Sequence, residues 1–363
     1  MTSETSDTRL LRRPRPPSRA GLRGALDRLA FFGTLAAAPV GPLLAPLAAR
    51  REARIEAAHP PRGRLIYVGG IAVHAIEGGP PGAPDAVLIH GASGNARDIA
   101  TLGAHLGPRV RWVAFDRPGL GYTGRTNPNH DRAFSTSSET LAEQARLLSA
   151  AARRLGAERP VVLGHSFGGA VALAWACAHP TAGLVLLGGV SQVWPGGLGP
   201  LYAILGSRMG GAFLAPAAAA LTPRSKVAAT IRSIFRPNQP PSRYADTVGA
   251  TLVLRRRSLA ANARQMQRLK RDVAAMMPLY PSLRIPVEIV HGTADAIVPP
   301  EVHALPLAEQ VPSAAVALLP GIGHMPHHAA PEAVAAALDR VLARGESADA
   351  GVLCHADDPG GAT

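Results

Sequence analysis

The chain has 363 residues, 47% of them apolar and 17% charged, with a formal net charge of +13. That length allows one large domain or two small ones, and the composition excludes a chain too polar to collapse. Two cysteines, Cys177 and Cys354, are too few for a disulfide framework and lack the spacing of a zinc site. The charge is uneven: residues 1–64 carry 12 Arg against 5 acids, residues 191–284 carry 14 Arg and Lys against 2, and the remainder is net acidic. No nucleic-acid-binding motif accompanies this charge and aromatics are only 4%, so stacking platforms are scarce and nucleic acid is not an expected partner.

Taken in chain order, residues 1–28 mix seven Arg with Pro14, Pro16 and Pro17 and read as a disordered basic arm. Residues Leu29 to Ala49 carry no charge, roughly the 20 residues that a helix needs to cross a bilayer. They are expected to form a membrane anchor, closed by Arg50 and Arg51. Pro39, Pro42 and Pro46 weaken that reading, and the competing ones are a cleaved signal or a helix packed on the soluble domain. Arg outnumber acids on both flanks, so the positive-inside rule gives only a slight preference for an inside N-terminus.

Beyond residue 60, RLIYVGG and IAVHAIEGG read as a hairpin turning at Gly69-Gly70. DAVLIHG, VRWVAFD, PVVLGHS, GLVLLGG, PVEIVHG and AVALLPG lack polar alternation, as expected of strands buried on both faces of a parallel sheet. Candidate helices lie near 97–106, 137–155, 167–179, 299–310 and 331–344. Strand and helix alternate, which predicts an α/β fold with a mostly parallel sheet over 62–190 and 284–344. The basic, Pro-punctuated interval 191–283 breaks the rhythm and reads as a helical cap, and residues 345–363, with Cys354, read as a disordered tail.

The sharpest motif is Gly164-His165-Ser166-Phe167-Gly168-Gly169, set between a strand-like and a helix-like run. A serine on a strand-to-helix turn has a cramped backbone, and glycines two residues to either side remove colliding side chains. Its hydroxyl is presented at the strand end as a candidate nucleophile, although a Gly-rich turn alone has the same composition. Such a serine needs a base and a group to orient that base. Asp295 in HGTADAIVPP and His324 in GIGHMPHH follow strands and supply both, just beyond strand C-termini where a parallel sheet gathers catalytic groups. The competing readings make Asp295 a helix cap and His324 a loop histidine beside His327 and His328. In His90-Gly91-Ala92-Ser93-Gly94 the Ala92 amide, paired with that of Phe167, is placed to bind an oxyanion, unless this is a tight turn and nothing more. His165 and Phe167 are expected to pack, and Asp116-Arg117-Pro118-Gly119 to form a rigid floor.

The set HGASG, DRPGLGYT, GHSFGG, HGTADAIVP and GIGH, in this order over roughly 62–344, resembles the α/β-hydrolase fold superfamily, in particular its bacterial cofactor-free serine esterases, perhydrolases and C–C bond hydrolases, some with an N-terminal membrane anchor. The resemblance implies an eight-stranded sheet with a helical cap between strands 6 and 7. It also implies Ser166 as nucleophile, Asp295 as acid, His324 as base, Ala92 and Phe167 as oxyanion donors, and neither a metal nor another cofactor. The expected activity is cleavage of a carboxylic ester, the substrate a partly apolar small molecule, and the location the bacterial inner membrane. A C–C bond hydrolase or perhydrolase is the alternative within the fold; outside it, a non-catalytic receptor or membrane-tethered scaffold. The basic cap, with Arg255, Arg256 and Arg257 clustered on a helix, is expected to meet an anionic lipid surface or the charged end of a substrate.

Overall fold

A computed structural model describes residues 40–197 and 199–356. The expected basic arm, the first part of the expected anchor (29–39) and the last residues of the expected tail (357–363) lie outside the described residues. The described chain begins with α1 (Val40–Ala58). It continues through β1 (Arg64–Val68), β2 (Ile71–Gly78), β3 (Asp85–Ile89), α2 (Ala96–Ala100), β4 (Arg111–Phe115), α3 (Leu141–Arg154), β5 (Val161–His165), α4 (Phe167–Ala178) and β6 (Gly183–Leu187). Between β6 and β7 (Val287–Gly292) lie α5 (Pro200–Gly206), α6 (Ala215–Leu221), α7 (Arg224–Phe235), α8 (Tyr244–Thr247) and α9 (Arg256–Met276). Last come α10 (Ala304–Gln310), β8 (Ala314–Leu319), α11 (Pro326–Ala329) and α12 (Pro331–Ala356).

The eight strands form one sheet in the order β1-β2-β4-β3-β5-β6-β7-β8. Pairing is antiparallel only where β2 meets β1 and β4. Val68 stands opposite Ile71, and Gly69 and Gly70 take φ of 56° and 83°, the positive pair that a two-residue hairpin turn of type I′ requires. Every residue of β5 and β6 is buried, which is why these strands show no polar alternation. Successive side chains nevertheless serve different cores. Val87 and Ile89 join the layer containing α3 and α4, while Ala86 and Leu88 join the layer containing α2 and α12. The sheet is thus the middle of three layers, and β5 near its centre carries Ser166 at its C-terminal end.

The N-terminal helix extends beyond the expected anchor. Residues 40–49 of the expected anchor form the first half of α1, which then runs on through Arg50, Arg51, Glu52, Arg54 and Glu56 and packs on α6. Arg51 Nη1 donates to the Ala220 carbonyl at 3.0 Å, and Glu52 receives Arg256 through Nε at 2.9 Å and Nη2 at 2.8 Å. Among the described residues no single helix is long and apolar enough to cross a membrane, although α5 and the helical run 210–221, bent by 92°, pass together on length and composition. The reason lies in the sequence of α1: past Ala49 every turn carries charge, and Arg51, Glu52 and Glu56 have partners on the cap. At the other end α12 continues through Gly345 to Ala356, so the expected tail boundary falls inside a helix.

Candidate active site

Ser166 follows β5 and immediately precedes α4 with φ 53° and ψ −118°, a conformation that costs a non-glycine residue about 1–3 kcal/mol. Surrounding packing holds it there. A Cβ on Gly164 would collide with the Gly168 carbonyl, and one on Gly168 with the Ile89 carbonyl, so no larger residue fits either place. The Ser166 amide donates to Leu187 O at 3.0 Å, and Ser166 O accepts from the amides of Gly169 and Val190. This turn is bonded to the end of β6 and packed closely on that of β3, and Ser166 retains 9% exposure.

His324 lies between β8 and α11, and Asp295 in the loop after β7. Ser166 Oγ is 3.0 Å from His324 Nε2, and His324 Nδ1 is 2.8 Å from Asp295 Oδ2. The other oxygen, Asp295 Oδ1, accepts the amides of Ile297 and Val298, each at 2.9 Å. Burial raises the Asp295 pKa, but hydrogen bonds and charge from His291, His324 and the Val298 amide outweigh it and hold this carboxyl well below the usual range. An ionised Asp295 accepts the Nδ1 proton of His324, leaving Nε2 free to accept from the serine. The structure therefore brings the three sequence-selected side chains into one chain of hydrogen bonds, and Asp295 caps its own loop rather than a helix.

The loop His90-Gly91-Ala92 lies against the serine: a Cβ on Gly91 would stand 3.1 Å from Ser166 Cβ. The Ala92 amide on this loop and the Phe167 amide at the start of α4 make no hydrogen bond within the described residues. Ser93, at φ 59°, donates its amide to Asn262 Oδ1 at 2.8 Å and accepts Asn262 Nδ2 at 3.0 Å on its hydroxyl. A cap helix, α9, thereby fixes the loop. Beneath it the fully buried Arg117 stacks 3.9 Å over the Phe167 ring and bonds to Gln144 and Gln265; burial pushes its guanidinium down to about 9, although Glu139 pulls it up. Asp116 is structural as expected, accepting Ala96 N, Tyr122 N and His74 Nδ1.

Three side chains escaped sequence reading. His165 donates Nε2–H to the His324 carbonyl at 2.8 Å, so it holds the base's backbone rather than merely packing. Asn238, on the cap, accepts the Gly323 amide at 2.9 Å and donates to Gly321 O at 3.2 Å, gripping the loop that carries His324. Asp98 in α2 accepts Tyr244 Oη at 2.8 Å and His328 Nε2 at 2.8 Å; burial raises its pKa, but His327 and His328 hold it well below the usual range. Only His165 had a local signal, its place beside Ser166. Cys177 is elsewhere: it sits in α4 with its thiol pushed by burial up to about 11, unsuited to nucleophilic work.

The sequence model of the alpha/beta hydrolase family matches residues 86–337, well over half of the chain, and the chain belongs to that family. No curated protein sequence matches it. Among solved structures it is similar to the esterase RhEst1 from Rhodococcus sp. ECU1013, at 21% identity and a TM-score of 0.55 over 77% of this chain and 97% of that one. It is similar also to a thermophilic esterase from Thermogutta terrifontis, at 22% and 0.58 over 78% and 99%. A third is a bacterial membrane phospholipase A, at 21% and 0.54 over 89% and 99%. At such identities the likeness establishes the fold.

Proposed function

We propose that this hydrolase cleaves a carboxylic ester of a partly apolar small molecule through an acyl-enzyme. The observation that carries the proposal is the continuous link from Ser166 Oγ through His324 to Asp295, at 3.0 and 2.8 Å, on the C-terminal edge of the sheet. Ser166 attacks the ester carbonyl as its proton passes to His324 Nε2. Asp295 stabilises the imidazolium, and the amides of Ala92 and Phe167 donate to the oxyanion. His324 returns the proton to the departing alkoxide, then activates the water that deacylates Ser166. Similarity to esterases and to a phospholipase supports an ester as the substrate class.

Labelling with a fluorophosphonate, followed by turnover on esters graded by acyl length, tests this reading. Wild-type protein is expected to label and turn over, and Ser166→Ala to do neither. Labelling without turnover on any ester would favour a receptor, and turnover confined to vinylogous diketones would favour C–C hydrolysis.

We also propose that the chain associates with a membrane through the segment ahead of α1. Its support is the uncharged run beginning at Leu29 and the exposed Leu43 and Leu47 where α1 begins. Full-length protein is then expected to sediment with membranes and to resist extraction by high salt; protein that stays soluble without detergent refutes the association. The Arg255, Arg256 and Arg257 cluster meets carboxylates of this chain. Arg255 pairs with Glu56 at 2.9 Å, Arg256 with Glu52 at 2.8 Å and Arg257 with Asp131 at 2.7 Å.

A further inference from the structure

We infer that Asp98, His327 and His328 form a site for a divalent transition-metal ion, zinc foremost, that clamps the oxyanion-loop helix to the segment following His324. The inference is independent of the ester-hydrolase reading, since none of Ser166, His324 and Asp295 supplies a donor.

The three donors come from two elements far apart in sequence: Asp98 from α2, and His327 and His328 from α11. Nε2 of His328 lies 2.8 Å from Asp98 Oδ1, and Nε2 of His327 lies 3.5 Å from Asp98 Oδ2. One donor atom from each residue lies within 4.8 Å of both others. In a tetrahedral zinc site with bonds of about 2.0–2.2 Å, ligand atoms stand roughly 3.3 Å apart; each histidine approaches one carboxylate oxygen near that spacing, and a small outward shift of His328 would open room for the ion. Two imidazoles and a carboxylate suit zinc, cobalt or iron, whereas calcium and magnesium take all-oxygen shells.

A second observation singles out the same place. His327 is only 2% exposed, yet neither ring nitrogen has a hydrogen-bond partner, and the 3.5 Å approach of Nε2 to Asp98 is not a hydrogen bond. Buried polar side-chain atoms are paired in the large majority of cases, and one left unpaired calls for an explanation. A cation between His327 Nε2 and the carboxylate supplies it for that nitrogen. Two of the three ligands are held in place: the Tyr244 hydroxyl donates to Asp98 Oδ1 at 2.8 Å and orients the carboxylate, and the His328 ring packs edge-on to Tyr244 at 5.1 Å.

Position gives the clamp a consequence. Asp98 belongs to the helix that follows the Ala92 loop, and His327 comes three residues after His324. The His327 ring also lies 4.4 Å from the ring of His165, which bonds the His324 carbonyl. Through Tyr244 in α8 the same carboxylate reaches the cap. An ion here fixes the spacing between the oxyanion loop and the base from behind, without touching substrate.

The test uses full-length protein stripped with EDTA and dialysed. Zn²⁺ is titrated calorimetrically, Co²⁺ by the visible d–d absorption of a tetrahedral site, and thermal melting is followed against free Zn²⁺. One saturable equivalent is expected, with a melting temperature that rises with free metal. His328→Gln is expected to weaken binding at least about tenfold, as is Asp98→Asn, whereas Ser166→Ala binds like wild type despite losing hydrolysis. No saturable site in the wild-type protein overturns the inference, and so does unchanged affinity in a folded His328→Gln variant. Should Asp98→Asn fail to fold, the wild-type titration and His328→Gln decide by themselves.

Discussion

The sheet layers and the cap place their polar side chains differently. In the sheet, β5 and β6 are buried throughout, and the reacting groups appear only where strands end, at Ser166, Asp295 and His324. In the cap the polar side chains divide by target. Uncharged residues reach inward to the loops of the site: Asn262 to Ser93, Asn238 to Gly321 and Gly323, Tyr244 to Asp98. Arginines fasten the cap at its margins, Arg256 and Arg255 to α1, Arg264 to the His130 carbonyl and Arg268 to the Ser138 carbonyl. A segment with 14 Arg and Lys against 2 acids is therefore not automatically a basic surface, because acids outside the segment have come to meet it.

The largest effect is expected on the sheet side. Ser166→Ala or His324→Ala should lower kcat by roughly 10⁴ to 10⁶, with the double variant scarcely worse, because triad members act as a unit. Steady-state kinetics on a responsive ester checks this; if His327→Ala abolishes activity while His324→Ala does not, the base has been misassigned. Where core meets cap, the buried Glu139 accepts Arg125 at 2.7 and 3.0 Å and Gln265 of α9 at 2.9 Å. Glu139→Gln strands Arg125 and should cost about 3–5 kcal/mol in denaturant unfolding, since a buried charge loses its partner. A loss under about 1 kcal/mol would mean that the joint tolerates solvent.

The same buried groups set the response to acid. Burial, aided by Arg117, pushes His90 down to about 4, and burial foremost does the same for His303. Between about 6.5 and those values the unfolded chain binds protons that the native state refuses, so stability falls as pH drops below about 6.5. Glu139 acts in the same direction at lower pH. Burial raises its pKa, but His130 and Arg125 hold it well below the usual range, so its contribution, full above about 4.3, is lost as pH falls further. Denaturant melts from pH 8 to 4 check the sign, and stability constant down to pH 5 would contradict it. The cap's attachment should be weaker: a double-mutant cycle on Glu52 and Arg256 is expected to give about 1 kcal/mol, as for a partly exposed pair. Smallest is Arg257→Gln, whose partner Asp131 it meets with 79% of its own side chain exposed, and a change within about 0.5 kcal/mol is expected.

Much of the sheet was legible because parallel strands buried on both faces must be apolar throughout, and the hairpin because two adjacent residues at positive φ call for Gly69 and Gly70. The candidate nucleophile was legible for a related reason: only glycine fits at 164 and 168, so the turn writes itself into local sequence. Asn238, Asn262 and Asp98 left no such trace, being single polar residues of common type whose partners lie up to 230 residues away.

By itself, then, the sequence determined the α/β class, the strands and the turn that presents Ser166, since each is dictated by local periodicity or by a backbone conformation that few residues can adopt. Only the tertiary structure decided what the charges do. An arginine reads the same whether it faces solvent, a lipid or a carboxylate, and the difference is a matter of what packs against it. Glu52 and Glu56 on α1 gave Arg256 and Arg255 their partners, and the meeting of α2 with α11 placed Asp98 against His327 and His328. Electrostatic energy depends on distance and burial, neither of which a linear chain records.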